Sequence, residues 1–368
     1  MSDVHTKRPI VIAGGGTGGH VFPGIAVARE LRRRDPARPL LWIGARAGIE
    51  ARLVPAEQIP LTLLPLGGVA GKSLAVRAKS LVQAGSAFVR CTDLFRNEHP
   101  AAVLGVGGFA SGPAGAAAVL ARVPLLLHEQ NSVPGGTNRL LARFARTIAV
   151  SFPDTAARLA SQRVVVTGNP VRAEFFAGAG GHAPGSGFGP LAVLVTGGSR
   201  GARSINRAVA DALPRLAAAG TGAFHFTHQT GDADAASLAE THRAAGFASE
   251  VAAFLDDMPR RMQAADLVVC RSGASAVFEV AAAGRPSVLI PFPFASGDHQ
   301  TANARSLADA GAALLIPDAE LSGERLAATL LSLAADRAGL ARMGAAAGAL
   351  AQPTAASRIA DLIEEAAR

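Results

Sequence analysis

The chain has 368 residues, 49% of them hydrophobic and 17% charged, a size that gives two or three domains with cores of their own and excludes a disulfide miniprotein or a disordered tail. Its net charge of +8 is unevenly held: residues 1–160 carry 19 basic against 9 acidic side chains (+10), and residues 161–368 carry 17 against 19 (−2). With no aromatic-rich basic stretch for base stacking, this points to an anionic partner for the first half and away from nucleic acid.

The N-terminal MSDVHTKRPIVIAGGG lacks the positive-then-apolar order of a signal peptide. The first strand is expected at Ile10–Ala13. It runs into GGGTGGH, Gly14 to His20, where glycine lets the backbone turn tightly and the following helix N-terminus offers free N–H groups to an anion. Gly14, Gly16 and Gly19 satisfy the dinucleotide-binding pattern GxGxxG, but the next strand, Leu40–Ile43, ends in Ala45 and Arg46 rather than in the acid that would hold a ribose. GGVAGKS, Gly67 to Ser73, is one residue short of a phosphate loop and reads as a flexible loop with a basic helix start. From Lys72 to Arg96, cations (Lys72, Arg77, Lys79, Arg90, Arg96) mix with Leu74, Val76, Leu81, Val82, Phe88 and Val89. This reads either as an interfacial patch for an anionic membrane or as an ordinary amphipathic surface helix.

Ala101 to Ala121 contains no charged residue, yet its five glycines and Pro113 argue for a strand (Ala102–Leu104), a glycine loop and a small-residue helix rather than a membrane span. Strands follow at Leu125–His128 and Thr147–Val150. A linker is placed at 166–190 on the glycine and proline of Gly178–Pro190. The strand pattern then restarts at Leu191–Thr196, Ala223–Thr227, Glu250–Ala252, Leu267–Cys270, Ser287–Ile290 and Ala312–Ile316. Two doubly wound α/β domains result, at 1–165 and 191–352, and the tail 353–368 reads as a helix that packs back on the first domain.

GGSRGARSIN (Gly197 to Asn206) repeats the strand, glycine loop and helix design, with Ser199 as a hydroxyl donor. In CRSGASAVFE, Glu279 falls about two helical turns past Ser272–Gly273 and suits paired ribose hydroxyls, against the plainer reading of a solvated helix glutamate. PFPFASGDHQTANA brings Asp298, His299, Gln300 and Asn303 to the same strand-end edge. Cys91 and Cys270 have no CxxC or CxxH partner, so reduced thiols are expected. HEQNS is not HExxH, and no histidine pair has metal-ligand spacing.

GGTGGH, GVGGFASGP, HEQN, GNPVR, GGSRGA, FLDDM, CRSGA and HQTANA, in this order and spacing, resemble the bacterial lipid-linked N-acetylglucosaminyltransferases of peptidoglycan synthesis, over about residues 8–366. The resemblance implies a GT-B fold of two Rossmann-like domains facing across a cleft. It implies inverting transfer of GlcNAc from UDP-GlcNAc to the C4 hydroxyl of MurNAc in undecaprenyl-pyrophosphoryl-MurNAc-pentapeptide (lipid I), giving lipid II, in the service of cell shape and division. It also implies a peripheral site on the cytoplasmic face of the inner membrane, no cofactor and no metal, with other cell-wall synthesis proteins as candidate partners.

By the same resemblance the donor contacts are Thr17, Gly18, Gly19, Asn131, Arg172, Ser199, Leu255, the run Ala274, Ser275, Ala276, Val277, Phe278 and Glu279, and Gln300. Leu255 offers backbone to uracil, Glu279 takes the ribose and Gln300 the GlcNAc hydroxyls. Gly107, Gly108, Phe109, Ser111 and Gly112 face the acceptor, with backbone N–H groups for the lipid pyrophosphate; glycine serving only close helix packing is the alternative. Phe109 departs from a family pattern that often has tyrosine, which removes a phenol role and keeps ring stacking. His20 is the first candidate for general base, because it follows the glycine loop and imidazole has an ordinary pKa of about 6.5; Glu129 is its rival, or else a carboxylate that orients His128 or the nearby loop. A GT-B relative with another acceptor, a UDP-GlcNAc 2-epimerase, and a silent nucleotide-sugar sensor remain the competing readings.

Overall fold

Apolar residues in unbroken runs form strands that can be buried on both faces, and here they build two parallel sheets. The computed structural model describes residues 7–66, 74–159, 163–176, 189–198 and 201–368, without the side chains of 74–81. In the first sheet, β1 (Ile10–Ala13), β2 (Leu40–Ala45), β3 (Leu61–Leu64), β4 (Ala102–Gly105), β5 (Leu125–Glu129), β6 (Thr147–Val150) and β7 (Val164–Val166) take the order β3-β2-β1-β4-β5-β6-β7. Successive side chains alternate between faces. Ile10 and Ile12 pack with Val21, Ile25 and Trp42 on one side, Val11 and Ala13 with Ile43, Val103 and Leu127 on the other. The crossovers carry α1 (Gly18–Arg34), α2 (Glu50–Ala56), α3 (Leu74–Glu98), α4 (Ser111–Leu120) and α5 (Gly136–Leu141). The uncharged run from Ala101 is thus strand, loop and helix. Among the described residues no helix is long and apolar enough to cross a membrane.

The second sheet comprises β8 (Leu191–Thr196), β9 (Phe224–Gln229), β10 (Ser249–Ala252), β11 (Leu267–Cys270), β12 (Ser287–Leu289) and β13 (Ala313–Leu315), in the order β10-β9-β8-β11-β12-β13. Its helices are α6 (Arg203–Ala218), α7 (Ala235–Ala244), α8 (Met258–Ala264), α9 (Ala274–Ala282), α10 (His299–Ala308), α11 (Gly323–Ala335) and α12 (Arg337–Ala349). In each sheet the order reverses beside the first strand of its unit, between β1 and β4 and between β8 and β11, the places where open parallel sheets bind ligands.

The chain divides into a unit of 1–172 with 354–368 and a unit of 173–353. The first boundary lies beyond the 165 expected from sequence, because β7 pairs with β6 and carries the chain on to Arg172. Residues 177–188, about half of the expected linker, lie outside the described residues, as do Ser199 and the GGVAGKS loop. The last helix, α13 (Ala355–Ala366), packs on α1 and buries Ile359, Ala360 and Ile363 in the core of the first unit. Arg34 of α1 fastens it, donating to Asp361 at 2.6 Å, Glu364 at 3.1 Å and the Ser357 carbonyl at 2.9 Å.

Candidate active site

At the switch point of the first unit, the loops after β1 and β4 lie against each other. The Gly15 N–H donates to the Gly107 carbonyl at 3.2 Å, and a Cβ on Gly108, whose φ is +80°, would stand 2.2 Å from the Gly15 carbonyl oxygen. Only glycine allows that approach. Glu50, fully buried at the start of α2, fixes the first loop from beneath: its carboxylate accepts from the Gly16 N–H and the Ala45 N–H, both at 2.7 Å. The acid missing from the end of the second strand therefore appears five positions later, with its oxygens on loop backbone rather than free for a ribose.

His20 stands in the first turn of α1, partly buried, with Nδ1 3.1 Å from the Gln130 side-chain oxygen. Thr17, exposed, precedes the helix in extended conformation and makes no side-chain cap, so the N–H groups of Gly18 and Gly19 have no helical acceptor. Arg172 lies over the Phe22 ring at 5.0 Å, a cation–π contact that anchors it to α1.

The structure corrects several sequence expectations here. Glu129 is 1% exposed and its carboxylate accepts from the N–H groups of Asn131 and Gly135, both at 3.0 Å, and from Asn138 Nδ2 at 2.8 Å. It holds the 130–138 loop, which is the alternative to a base. Asn131 is partly buried on that loop and also reaches Glu129, with its Nδ2 at 3.4 Å. Ser111 is fully buried, accepts from the Gly107 N–H at 3.1 Å and donates to the Ala13 carbonyl at 3.4 Å. The polar groups of Gly107 and Ser111 named for the acceptor are thereby taken up inside the fold. Gly108, the backbone of Gly112 and the Phe109 ring, 55% exposed, are what this loop presents.

In the second unit, the loops after β8, β10, β11 and β12 are tied together by amides. Gln229 donates to the Gly198 carbonyl at 2.9 Å while its oxygen accepts the Leu255 N–H at 2.9 Å. Leu255 is left with its carbonyl, an acceptor suited to a base N–H. Gln300 accepts from the Phe292 N–H at 2.9 Å, which leaves its NH2 beside Gly273, the residue preceding α9. Arg271 donates to the carbonyls of Ile290 (3.2 Å) and Pro291 (3.0 Å) and to Asp318 at 2.6 Å. Of the neighbours of Gln300, Asp298 accepts from the Thr301 hydroxyl, His299 meets the Ser296 carbonyl, and Asn303 is buried on the Ser272 carbonyl.

Helical periodicity divides the run Ala274–Glu279. Ala274, Val277 and Phe278 turn into the core, and the Val277 N–H is taken by the Gly273 carbonyl. Ser275, Ala276 and Glu279 stay partly exposed, the Ser275 hydroxyl oxygen is itself buried without a hydrogen-bond partner, and the N–H groups of Ala274 to Ala276 lack helical acceptors. Val277 and Phe278 therefore direct their side chains into the core and not toward a ligand. Among the described residues no three His, Cys, Asp or Glu side chains gather as a metal ligand set. Burial pushes the thiols of Cys91 and Cys270 up to about 12, so neither is a nucleophile at neutral pH.

Residues 10–150 match the glycosyltransferase family 28 N-terminal domain and residues 192–365 its C-terminal domain. A protein of Solibacter usitatus named UDP-N-acetylglucosamine--N-acetylmuramyl-(pentapeptide) pyrophosphoryl-undecaprenol N-acetylglucosamine transferase is 43% identical, over 99% of this chain and 97% of the relative. The chain belongs to glycosyltransferase family 28. A second relative of the same name, from Methylococcus capsulatus, shares 44% identity over 98% of this chain and 99% of its own. The family 28 architecture is GT-B, and the crystal structure of Acinetobacter baumannii MurG superposes with a TM-score of 0.78 at 32% identity, covering 97% of this chain and 99% of that one. A UDP-GlcNAc 2-epimerase from Neisseria meningitidis, at 13% identity and a TM-score of 0.66, shares the fold alone.

Proposed function

We propose that this chain transfers GlcNAc from UDP-GlcNAc to the MurNAc-pentapeptide of pyrophosphoryl-undecaprenol, converting lipid I to lipid II. The observation that carries the reading is the 43% identity over 99% of the chain to a transferase of that name. Transfer goes to the C4 hydroxyl of MurNAc with inversion at the anomeric carbon.

The second unit holds the donor. The Leu255 carbonyl meets uracil, Glu279 the ribose hydroxyls and the Gln300 NH2 the GlcNAc hydroxyls, while Thr17, Gly18, Gly19, Asn131, Arg172 and Ser199 complete the donor contacts. The open first turn of α9 and the partnerless Ser275 hydroxyl suit a pyrophosphate, since N–H groups and the helix dipole stabilise charge growing on departing UDP. The acceptor lies on the first unit at Gly108, Phe109 and Gly112. His20 takes the C4 hydroxyl proton, the oxygen bonds to the anomeric carbon, and the bond from that carbon to UDP breaks with its electron pair leaving on the phosphate.

The enzyme works at the cytoplasmic membrane face. In support, Val82, Val89, Leu120, Leu140 and Phe144 are exposed on α3, α4 and α5, of which α4 packs on both others, and on the turn that follows, as are Arg90, Arg122, Arg139 and Arg143. An apolar surface ringed by cations suits anionic headgroups and the lipid carrying the acceptor.

The test is turnover of UDP-GlcNAc with a lipid I analogue. His20→Ala lowers kcat by about 10²–10⁴ with UDP-GlcNAc binding retained. UDP release from UDP-GlcNAc and water at the same rate without the lipid would point instead to epimerase chemistry.

A further inference from the structure

A row of buried polar side chains leads from β6 to the His20 ring, and each hydrogen in it can be assigned. Ser151 Oγ donates to the Glu129 carbonyl at 3.1 Å and so accepts, at 3.3 Å, from His128 Nε2. Gln130, 1% exposed, sits between the two histidines. Its Nε2 is 2.9 Å from the Val106 carbonyl, which only accepts, and 3.1 Å from His128 Nδ1. Turning the amide over would set its oxygen against the Val106 oxygen, so the network decides the orientation. The Gln130 oxygen is then the atom 3.1 Å from His20 Nδ1.

An amide oxygen is an acceptor only. In the neutral ring, therefore, His20 Nδ1 carries the hydrogen and Nε2 keeps its lone pair. Gly107 confines the ring from another side: a Cβ there would stand 2.8 Å from His20 Cε1 and Nδ1. Burial pushes His128 down to about 3, so at neutral pH it remains an acceptor toward Gln130.

We propose that Gln130 is a positioning residue for the transfer reaction, its amide holding His20 as the Nδ1–H tautomer and so leaving Nε2 as the proton acceptor. The proposal rests on the reading of His20 as the base. In the step, the hydroxyl proton moves to Nε2, and the imidazolium formed keeps its Nδ1–H bond to Gln130. The titratable and charged groups around the ring are His128 of β5 behind Gln130, Glu50 of α2 beneath Gly16, Glu129 turned to its own loop, and Arg172 on Phe22.

The experiment is 15N NMR of histidine-labelled full-length protein, with His20→Gln for assignment, alongside kcat and KM with a lipid I analogue. Wild type is expected to show His20 protonated on Nδ1 and bare on Nε2. Gln130→Leu is expected to shift the ring toward Nε2–H and to lower kcat roughly 10- to 100-fold with KM for UDP-GlcNAc changed about twofold or less. Gln130→Glu, its second oxygen carrying a proton toward the Val106 carbonyl, retains an acceptor for Nδ1–H, keeps the tautomer and recovers most of the lost kcat. A wild-type ring protonated on Nε2, or a kcat loss in Gln130→Leu with the tautomer unchanged, overturns the proposal. If Gln130→Leu does not fold, the wild-type and Gln130→Glu spectra decide. Full turnover by His20→Ala would instead remove the base reading, whatever tautomer the ring displays.

Discussion

Among single residues, the carboxylates of the first unit separate by what surrounds them. Glu50 and Glu129 are both buried with their oxygens on N–H donors, and each holds a loop in the shape that sets its neighbours. Replacing Glu50 by Ala leaves the Gly16 and Ala45 N–H groups without their acceptor, and a buried unsatisfied donor costs about 1–3 kcal/mol. Glu50→Ala should therefore lose roughly 2–4 kcal/mol of unfolding free energy in urea titration and weaken turnover through the displaced glycine loop. A variant as stable as wild type would show that the loop keeps its shape unaided. His20 was legible in the sequence because it abuts a glycine loop. Glu50 and Gln130 were not, since their partners lie 34 and 110 positions away.

At the scale of elements, the central strands, whose apolar runs are continuous, were legible in sequence, and so were the edge strands β10 and β13 of the second sheet. β3 and β7, sheet edges of four and three residues with partly exposed side chains, went unread. In the second unit, β9, α7 and β10 enclose a pair of histidines: His228 Nδ1 faces His242 Nε2 at 3.4 Å, His228 Nε2 meets Asn206, and His242 Nδ1 meets Ser249 at 2.9 Å. Burial lowers His228 to about 3 and His242 to about 4, with the His242 charge adding to the effect on His228. The unfolded chain takes up these protons below about pH 6.5, the folded unit only near 4 and 3, so stability present above 6.5 is lost as pH falls through that window. Each histidine should contribute a slope of about 1 kcal/mol per pH unit between pH 6 and 4.5 in denaturant titrations. His242→Gln should flatten the slope; an unchanged slope would mean that this pair titrates normally.

For the whole molecule, charge follows the units more closely than it follows sequence halves. Counted over the observed units, the first holds 23 basic against 12 acidic residues (+11) and the second 13 against 16 (−3). The exposed apolar residues and arginines of α3 to α5 belong to the positive unit. Vesicles containing anionic lipid should sediment the protein at low salt, and raising ionic strength or substituting zwitterionic lipid should release it. Binding indifferent to both would exclude this surface as an electrostatic anchor.

By itself the sequence determined the two strand, glycine loop and helix designs, the family, and the placement of His20, Glu279 and Gln300 on helices that follow strand ends. All of these are written in local spacing, where a strand's end and a helix's first turn fix direction within a few residues. Only the tertiary structure decided that Glu129 staples a loop, that Ser111 is turned inward, that Val277 and Phe278 are core, and that the returning tail helix docks on α1, through contacts 323 to 330 positions apart. Those outcomes depend on which backbone N–H groups and apolar faces meet across the fold, and hydrogen bonds between distant segments leave no period in the chain.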